Sequence, residues 1–325
     1  MAAEPVATPA ATAGQRGVVE ITALIPIYNE AENLKPLLEK LTADLRELGR
    51  AYEILVVDDG SDDGTLEALR TLRTSVPHLR AISFRRNYGK SAALSVGFHE
   101  ARGRYVVTMD GDLQDDSAEI GPLLRALEGE GYDLVSGWKQ KRKDPISKTI
   151  PSRLFNAVTS LMTGVRLHDM NCGQKAYRAE VLDSVTLRGE LHRYIPVLAH
   201  WNGFRVGEIR TRHHPRLHGR TKFGPARFVN GFLDLLAVMF LTTSSKRPLH
   251  LFWRVGILLV LVGGLLTVWL AWPWVLGHGL RLRPGLLFGA VLVILGFQFL
   301  SMGLLGELIA GTRVHDVDYT IRERF

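Results

Sequence analysis

Residues 104–116 read RYVVTMDGDLQDD. An apolar run, Tyr105-Val106-Val107-Thr108-Met109, ends in four carboxylates, Asp110, Asp112, Asp115 and Asp116, that fall within seven positions. The apolar run predicts a buried strand, and the acidic cluster sits at its tip. Like charges this close repel, and desolvating them costs more, so a cluster without partners is a poor structural choice. The segment therefore either surrounds a cation or is a solvated acidic turn.

The same alternation recurs on both sides of this stretch. ITALIPIY (21–28) precedes a helical pattern at about 31–48, and EILVVDD (53–59) precedes one at 62–75. LRAISF (79–84) precedes a helix that starts near Gly89, the 104–110 strand precedes one at 117–129, and YDLVSG (132–137) is a further strand. Continuous Val/Ile/Leu strands alternating with helices predict an α/β fold, a doubly wound, mainly parallel sheet covered on both faces. Ligands of such sheets bind beyond the carboxyl ends of the strands. Three polar clusters fall there: Tyr28-Asn29-Glu30, Asp58-Asp59-Gly60-Ser61 and Asp110-Gly111-Asp112.

Asp110, Asp112 and Gln114 offer hard oxygen donors without His or Cys, which suits Mg²⁺ or Mn²⁺. Mg²⁺ commonly takes one or two carboxylates and completes its shell with water and substrate phosphates, so the cluster implies a diphosphate substrate. A lone DxD is a weak motif. Its weight comes from Glu30 and Asp58 on the same predicted edge.

Four segments in this order, IPIYNEAENL (25–34), VVDDGSDDGT (56–65), RRNYGKSAAL (85–94) and MDGDLQDD (109–116), resemble the family 2 glycosyltransferases of the GT-A fold. Within that family they are similar to the polyprenyl-phosphate glycosyltransferases, which include dolichyl-phosphate mannose synthase and the undecaprenyl-phosphate sugar transferases. The later NCGQKAYRAEVL (171–182), HRYIPVLA (192–199) and RTRHHPRLHGRTKFGPARFVNG (210–231) resemble the bacterial formamido-arabinose transferase branch most. The resemblance spans roughly residues 20–310.

The resemblance implies a role for each matching position. Pro26, Tyr28 and Glu30 would line the base and ribose pocket of a nucleotide-diphosphate sugar, with Asp58 reading the base. Asp110 would contact the ribose or the metal, while Asp112 and Gln114 would hold the metal. Asn87, Gly89 and Lys90 form the RNxGK segment near the nucleotide; from the residues alone, Gly89 reads equally as a helix N-cap and Lys90 as a solvated helix residue. The segment matching RLHGRTKFG (216–224) closes over the donor diphosphate in relatives, which makes Arg216 and Lys222 the closing residues. Thr221 stands where relatives carry Ser.

The net charge of +7 is unevenly spread. WKQKRKDPISKTIPSR (138–153) holds six Lys or Arg, and residues 205–227 hold seven with three His. Such runs are commonly solvated faces. The motifs and aromatic interleaving of nucleic-acid-binding proteins are absent. The second run leads toward membrane sequence, so anionic lipid phosphate is the expected partner. Arg142 and Arg153 are the candidates for the acceptor phosphate, because guanidinium forks bind phosphate bidentately. His213, His214 and His218 lack a fourth ligand at zinc spacing and lie among arginines, which opposes a metal. The single cysteine, Cys172, reads as a small packing residue.

Between Arg254 and Arg281 lie 26 uncharged residues, and between Arg283 and Glu307 lie 23. Each exceeds the roughly 20 residues that span a bilayer. Trp269, Trp272 and Trp274 gather toward one end of the first span, as interfacial aromatics do. The expected organisation is a disordered tail (1–17), a catalytic domain (18–224), an amphipathic interfacial region (225–248), a transmembrane hairpin (249–312) and a cytoplasmic tail (313–325). The basic flanks favour both ends in the cytoplasm, with the protein in the plasma membrane. The oligomeric state is hidden in the sequence; the resemblance admits a homotetramer.

The expected reaction is inverting sugar transfer to a polyprenyl monophosphate, undecaprenyl or dolichyl. Transfer to a hydroxyl needs a general base. A lipid phosphate is already ionised near neutral pH and can attack without one, and QxxRW, the acceptor mark of processive family 2 synthases, is absent. Two rival readings are a hydroxyl acceptor with Asp169 as base and a non-catalytic membrane scaffold. The sugar is not legible in the motifs.

Overall fold

The computed structural model describes residues 19–139, 156, 159–160, 163–187, 189, 191–214, 248–276, 284–311 and 321–324. Two compact units are present, one built from residues up to 234 together with 318–325, the other from residues 235–317.

The first unit is an eight-stranded sheet. Its strands are β1 (Val19–Ile27), β2 (Tyr52–Asp58), β3 (Leu79–Phe84), β4 (Gly103–Thr108), β5 (Leu134–Trp138), β6 (Lys175–Arg178), β7 (Val206–Arg210) and β8 (Ile321–Arg324). The order across the sheet is β7-β5-β6-β4-β1-β2-β3-β8. β1 pairs in parallel with both β2 and β4, through Ile21↔Tyr52 and Ile21↔Tyr105. The chain steps outward from β1 to β3 and then returns to the other side of β1. That reversal opens a crevice at the carboxyl ends of β1 and β4, where doubly wound sheets bind ligands. β6 runs antiparallel between β4 and β5, and β8 antiparallel on β3.

The helices follow their apolar spacing. In α1 (Ala31–Glu47), Leu34, Leu37, Leu38, Leu41 and Leu45 are buried, a stripe at i, i+3, i+4, i+7 that packs on the sheet. In α4 (Ile120–Gly129), Ile120, Leu123, Leu124 and Leu127 do the same. The helix expected at 62–75 is shorter: α2 spans Thr65–Leu72. Asp63 Oδ1 accepts from the Thr65 backbone and hydroxyl, which ties the preceding residues into a turn before the helix can begin. α3 spans Lys90–Glu100 with Gly89 as its N-cap residue.

Within the segment expected as a cytoplasmic tail, Ile321–Arg324 forms β8, which covers the edge strand β3. The expected N-terminal tail, the interfacial segment 225–243 and the loop between the apolar helices lie outside the described residues, apart from its ends.

The second unit contains helices Pro248–Val275 and Pro284–Gly311, packed on one another. Their apolar windows, Phe252–Pro273 and Pro284–Gly306, are long enough to cross a membrane and only 11% buried. Leu258, Leu265, Trp269 and Trp272 stand exposed, an arrangement suited to hydrocarbon and costly in water. Between the helices, small residues allow close backbone approach: a Cβ on Gly263 would stand 2.7 Å from the Gly289 carbonyl oxygen, and one on Gly256 2.9 Å from that of Gly296. Gly263→Leu should therefore force the helices apart and cost about 1–3 kcal/mol. The check is the melting temperature of the detergent-purified full chain, with exposed Leu265→Val as the control that should leave it unchanged.

Candidate active site

At the carboxyl edge the acidic cluster meets the protein's own cations. Lys90, the first residue of α3, forms an ion pair with Asp110 Oδ1. Lys139, just past β5, pairs at 2.9 Å with Asp115, whose side chain is wholly buried. Asp116 pairs with Lys40 of α1 at 2.6 Å and meets His214 Nε2 at 3.2 Å. The segment is thus neither a solvated turn nor a bare cage of charge. Asp112 is 9% exposed, and its Oδ1 accepts from the Gln114 backbone N–H.

These pairings set the charges. Burial opposes ionisation of Asp110, but Lys90 and Lys139 outweigh it and hold the carboxyl well below its usual range. Asp116 is likewise burdened by burial, yet its hydrogen bonds to Lys40 and His214 bring it to about 2. Burial pulls Lys139 down, and Asp115 more than reverses that, so the lysine stays charged.

The loops that carry the site are knitted together. The β1–α1 loop is tied to the β2–α2 loop: Asn29 N–H donates to Ser61 Oγ at 2.8 Å, and Glu30 N–H to Thr65 Oγ1 at 3.1 Å. Asp59 accepts from the backbone N–H groups of Tyr88 and Gly89, which fixes the RNYGK segment against β2. The acidic loop is tied to β7's extension, where His214 N–H donates to the Gln114 carbonyl at 2.8 Å and Asp115 bridges His213.

A cavity at this edge is lined by Pro26, Lys90, Thr108, Asp110, Gly173, Lys175 and His192, among others. Gly173 forms its wall: a Cβ there would stand 2.5 Å from Asp110 Oδ2, so only glycine leaves that carboxylate its place. Ser91 Oγ accepts from the His192 backbone N–H at 3.1 Å and is hydrogen-bonded to the ring Nδ1 at 2.9 Å. Burial holds the His192 pKa well below its ordinary value, keeping the ring neutral. Buried Lys175 donates to the Cys172 carbonyl, and burial also lowers its pKa.

The expected residues are therefore placed as follows. Pro26, Lys90 and Asp110 line one cavity, with Tyr28 and Glu30 on the adjoining loop. Asp58 is fully buried, and its oxygens accept from the Ser61 and Ser83 hydroxyls at 2.5 and 2.7 Å. Arg142, Arg153, Arg216 and Lys222 lie outside the described residues. Cys172 is buried and its thiol is pushed up to about 12, in keeping with packing. His213 and His214 face carboxylates; among the described residues no group of three His, Cys, Asp or Glu side chains is arranged around a metal. Sequence reasoning missed Lys40, Lys139, Lys175, His192 and Ser91. The last three lie in or beside segments whose motifs were visible, but a buried lysine has no sequence signature of its own.

The pattern of Glycosyl transferase family 2 matches residues 22–186. Across nearly the whole chain, 315 residues are 38% identical to a dodecaprenyl-phosphate galacturonate synthase of Rhizobium johnstonii, covering 94% of this chain and 93% of that one. An undecaprenyl-phosphate 4-deoxy-4-formamido-L-arabinose transferase of Pseudomonas paraeruginosa is 37% identical over 317 residues, covering 94% and 88%. Among solved structures, the glucosyl-3-phosphoglycerate synthase of Mycobacterium tuberculosis, in complex with Mn²⁺, uridine diphosphate and glucosyl-3-phosphoglycerate, shares the fold: TM-score 0.53, 18% identity, 69% of this chain and 82% of that one. The mannosyl-3-phosphoglycerate synthase of Rubrobacter xylanophilus gives a TM-score of 0.53 at 19% identity, covering 68% and 74%.

The site also fixes a pH response. Burial raises the Asp59 carboxyl from 3.8 to about 6, despite its two backbone donors. The native state then binds that proton more tightly than the unfolded chain. Asp59 consequently destabilises the fold progressively from about pH 4 to pH 6, and by a constant amount above. Relative to non-titrating Asp59→Asn, the native protein should lose on the order of 2 kcal/mol between pH 4 and pH 7. Denaturant unfolding of both proteins across that range measures it, and parallel curves would refute it.

Proposed function

The chain belongs to glycosyl transferase family 2, and from that membership we propose that it moves a sugar from a nucleotide-diphosphate sugar to a polyprenyl monophosphate at the membrane, with inversion and with help from Mg²⁺ or Mn²⁺. The observation that carries the reading is the interleaving of Asp110, Asp112 and Gln114 with Lys90 at the open edge of β4. Relatives matched over 94% of the chain are named for transfer to dodecaprenyl or undecaprenyl phosphate, which supports the acceptor. Their sugars, galacturonate and a formamido-arabinose, define the first donors to try.

The residues fit a hard divalent cation, because the donor atoms at the β4 tip are oxygens, with Asp112 shielded from water and Gln114 held by His214. Asp112 and Gln114 would hold the metal, with Asp110 beside them. When bound, the metal supplies positive charge to the departing diphosphate. The chain's own residues do the rest. Pro26, Tyr28 and Glu30 would line the nucleotide pocket. Asp58, whose oxygens accept from the Ser61 and Ser83 hydroxyls, would read the base. Lys90 would meet the diphosphate; Arg216 and Lys222 would close over it, and Arg142 and Arg153 would grip the lipid phosphate. The attacking phosphate oxygen is already an anion, so no base is required.

The hydroxyl-acceptor reading loses support at Asp169. That residue is buried, its Oδ1 accepts from the Asn171 N–H, and it is not among the residues lining the cavity. A scaffold would have no need of the oxygen donor set of Asp110, Asp112 and Gln114, whatever structural use it made of Asp115 and Asp116.

The same reading places the protein in the plasma membrane with its catalytic unit in the cytoplasm. β8 bears on the number of crossings alone: the chain leaves the catalytic unit before the apolar helices and is back in its sheet by Ile321. An even number of crossings is what that return requires.

Asp112→Asn keeps shape and removes one charge, so transfer should fall on the order of a hundredfold or more while the fold persists. The assay uses the full chain with polyprenyl phosphate and a panel of nucleotide sugars. Turnover undiminished in excess chelator, or persisting without the lipid phosphate, would contradict the reading. An epitope placed after Phe325 should be reachable only in permeabilised cells; labelling of intact cells would reverse the topology.

A further inference from the structure

Three lysines surround Asp110, and they are not equivalent. Lys175 is buried and donates to the Cys172 carbonyl, and Lys139 is 12% exposed and committed to Asp115. Lys90 alone among them is both bonded to Asp110 and partly open to solvent, at 35%. Asp110 itself is fixed. Its backbone N–H donates to Asp115 at 3.1 Å, and Gly173 walls its second oxygen. The movable member of the pair is therefore the long, half-exposed lysine.

We propose that Lys90 is an exchangeable counter-ion. It neutralises Asp110 when the site is empty, and it swings to the donor diphosphate once a divalent cation takes its place on Asp110. The inference rests on the metal-assisted reading above and deepens it. With Lys90 on Asp110 the β4 tip offers a free cation one carboxylate fewer, so metal alone binds weakly. When metal and nucleoside diphosphate arrive together, Lys90 leaves one anion for another, and no charge is stranded. Each ligand removes a cost that the other would meet alone, which is positive coupling between two sites through one side chain. The lysine acts as a positioning residue. It selects the metal–nucleotide complex over free metal.

Mn²⁺ binding to the full chain in detergent, read by the loss of free-ion paramagnetic signal, tests this without turnover. In the native protein Mn²⁺ alone should bind weakly, and uridine diphosphate should tighten it. Lys90→Met should bind Mn²⁺ alone about tenfold more tightly, and the gain from uridine diphosphate should shrink by about tenfold or more, because one charged hydrogen bond has been removed from each side of the exchange. Lys90→Gln should repeat this result, and Lys90→Arg should behave as the native protein does. A variant that had merely lost structure would bind metal more weakly, the opposite sign. Unchanged or weakened Mn²⁺ binding by both Lys90→Met and Lys90→Gln overturns the proposal while leaving the metal reading standing. Absence of Mn²⁺ binding by the native protein even with uridine diphosphate overturns both.

Discussion

The ion pairs at the tip of β4 are the constraint on which the rest of the catalytic unit depends. Asp110, Asp115 and Asp116 come from one short loop, and their cations come from three different elements: Lys90 from α3, Lys139 from the end of β5 and Lys40 from α1. Each pair therefore draws a separate part of the fold toward the same point. Removing one member of the buried Asp115–Lys139 pair would strand a charge out of water, which costs far more than an exposed pair contributes. The acidic loop is as much a structural hub as a candidate binding loop.

How much of this was legible in the sequence depends on the physics of each element. β1 to β5 could be read because both faces of a covered parallel sheet must be apolar, and those runs are continuous. β6 and β7 were missed. KAYR and VGEIR are short, broken by charged residues and antiparallel or peripheral, so they carry no run to detect. IRER, which forms β8, reads as a charged tail; its order comes from an open edge on β3 that only the folded sheet provides. The acidic cluster was visible, but its partners were not. Lys139 belonged to a basic run that reads as a solvated face, yet it lies almost wholly out of water beside Asp115. That His213 and His214 pin the acidic loop was not legible, because it depends on contacts nearly 100 residues distant in the chain.

The apolar hairpin obeys a different rule from the catalytic unit. Its helices expose their large residues and meet through glycines, the reverse of a water-soluble core, because hydrocarbon gives apolar side chains no reason to hide. Close backbone approach takes over the work that burial of leucines does under the sheet. β8 then has a consequence beyond covering an edge. It returns the chain to the sheet of the catalytic unit after the second apolar helix.

On the proposed reaction the two substrates present the site with one shared difficulty, since a diphosphate and a lipid phosphate must approach each other although both are anions. A site made only of cations would solve that at the cost of repelling itself when empty. A site made only of carboxylates would need its metal in place before it could fold quietly. The arrangement seen here avoids both, because Lys90, Lys139 and Lys40 each have a carboxylate to hold in the absence of substrate. Fixed positive charge is thus stored as ion pairs and can be redirected as anions arrive. Preorganised charge of this kind needs little rearrangement during transfer, which is where electrostatic catalysis gains most. The partly exposed Lys90–Asp110 pair can open, whereas the buried Asp115–Lys139 pair holds the frame.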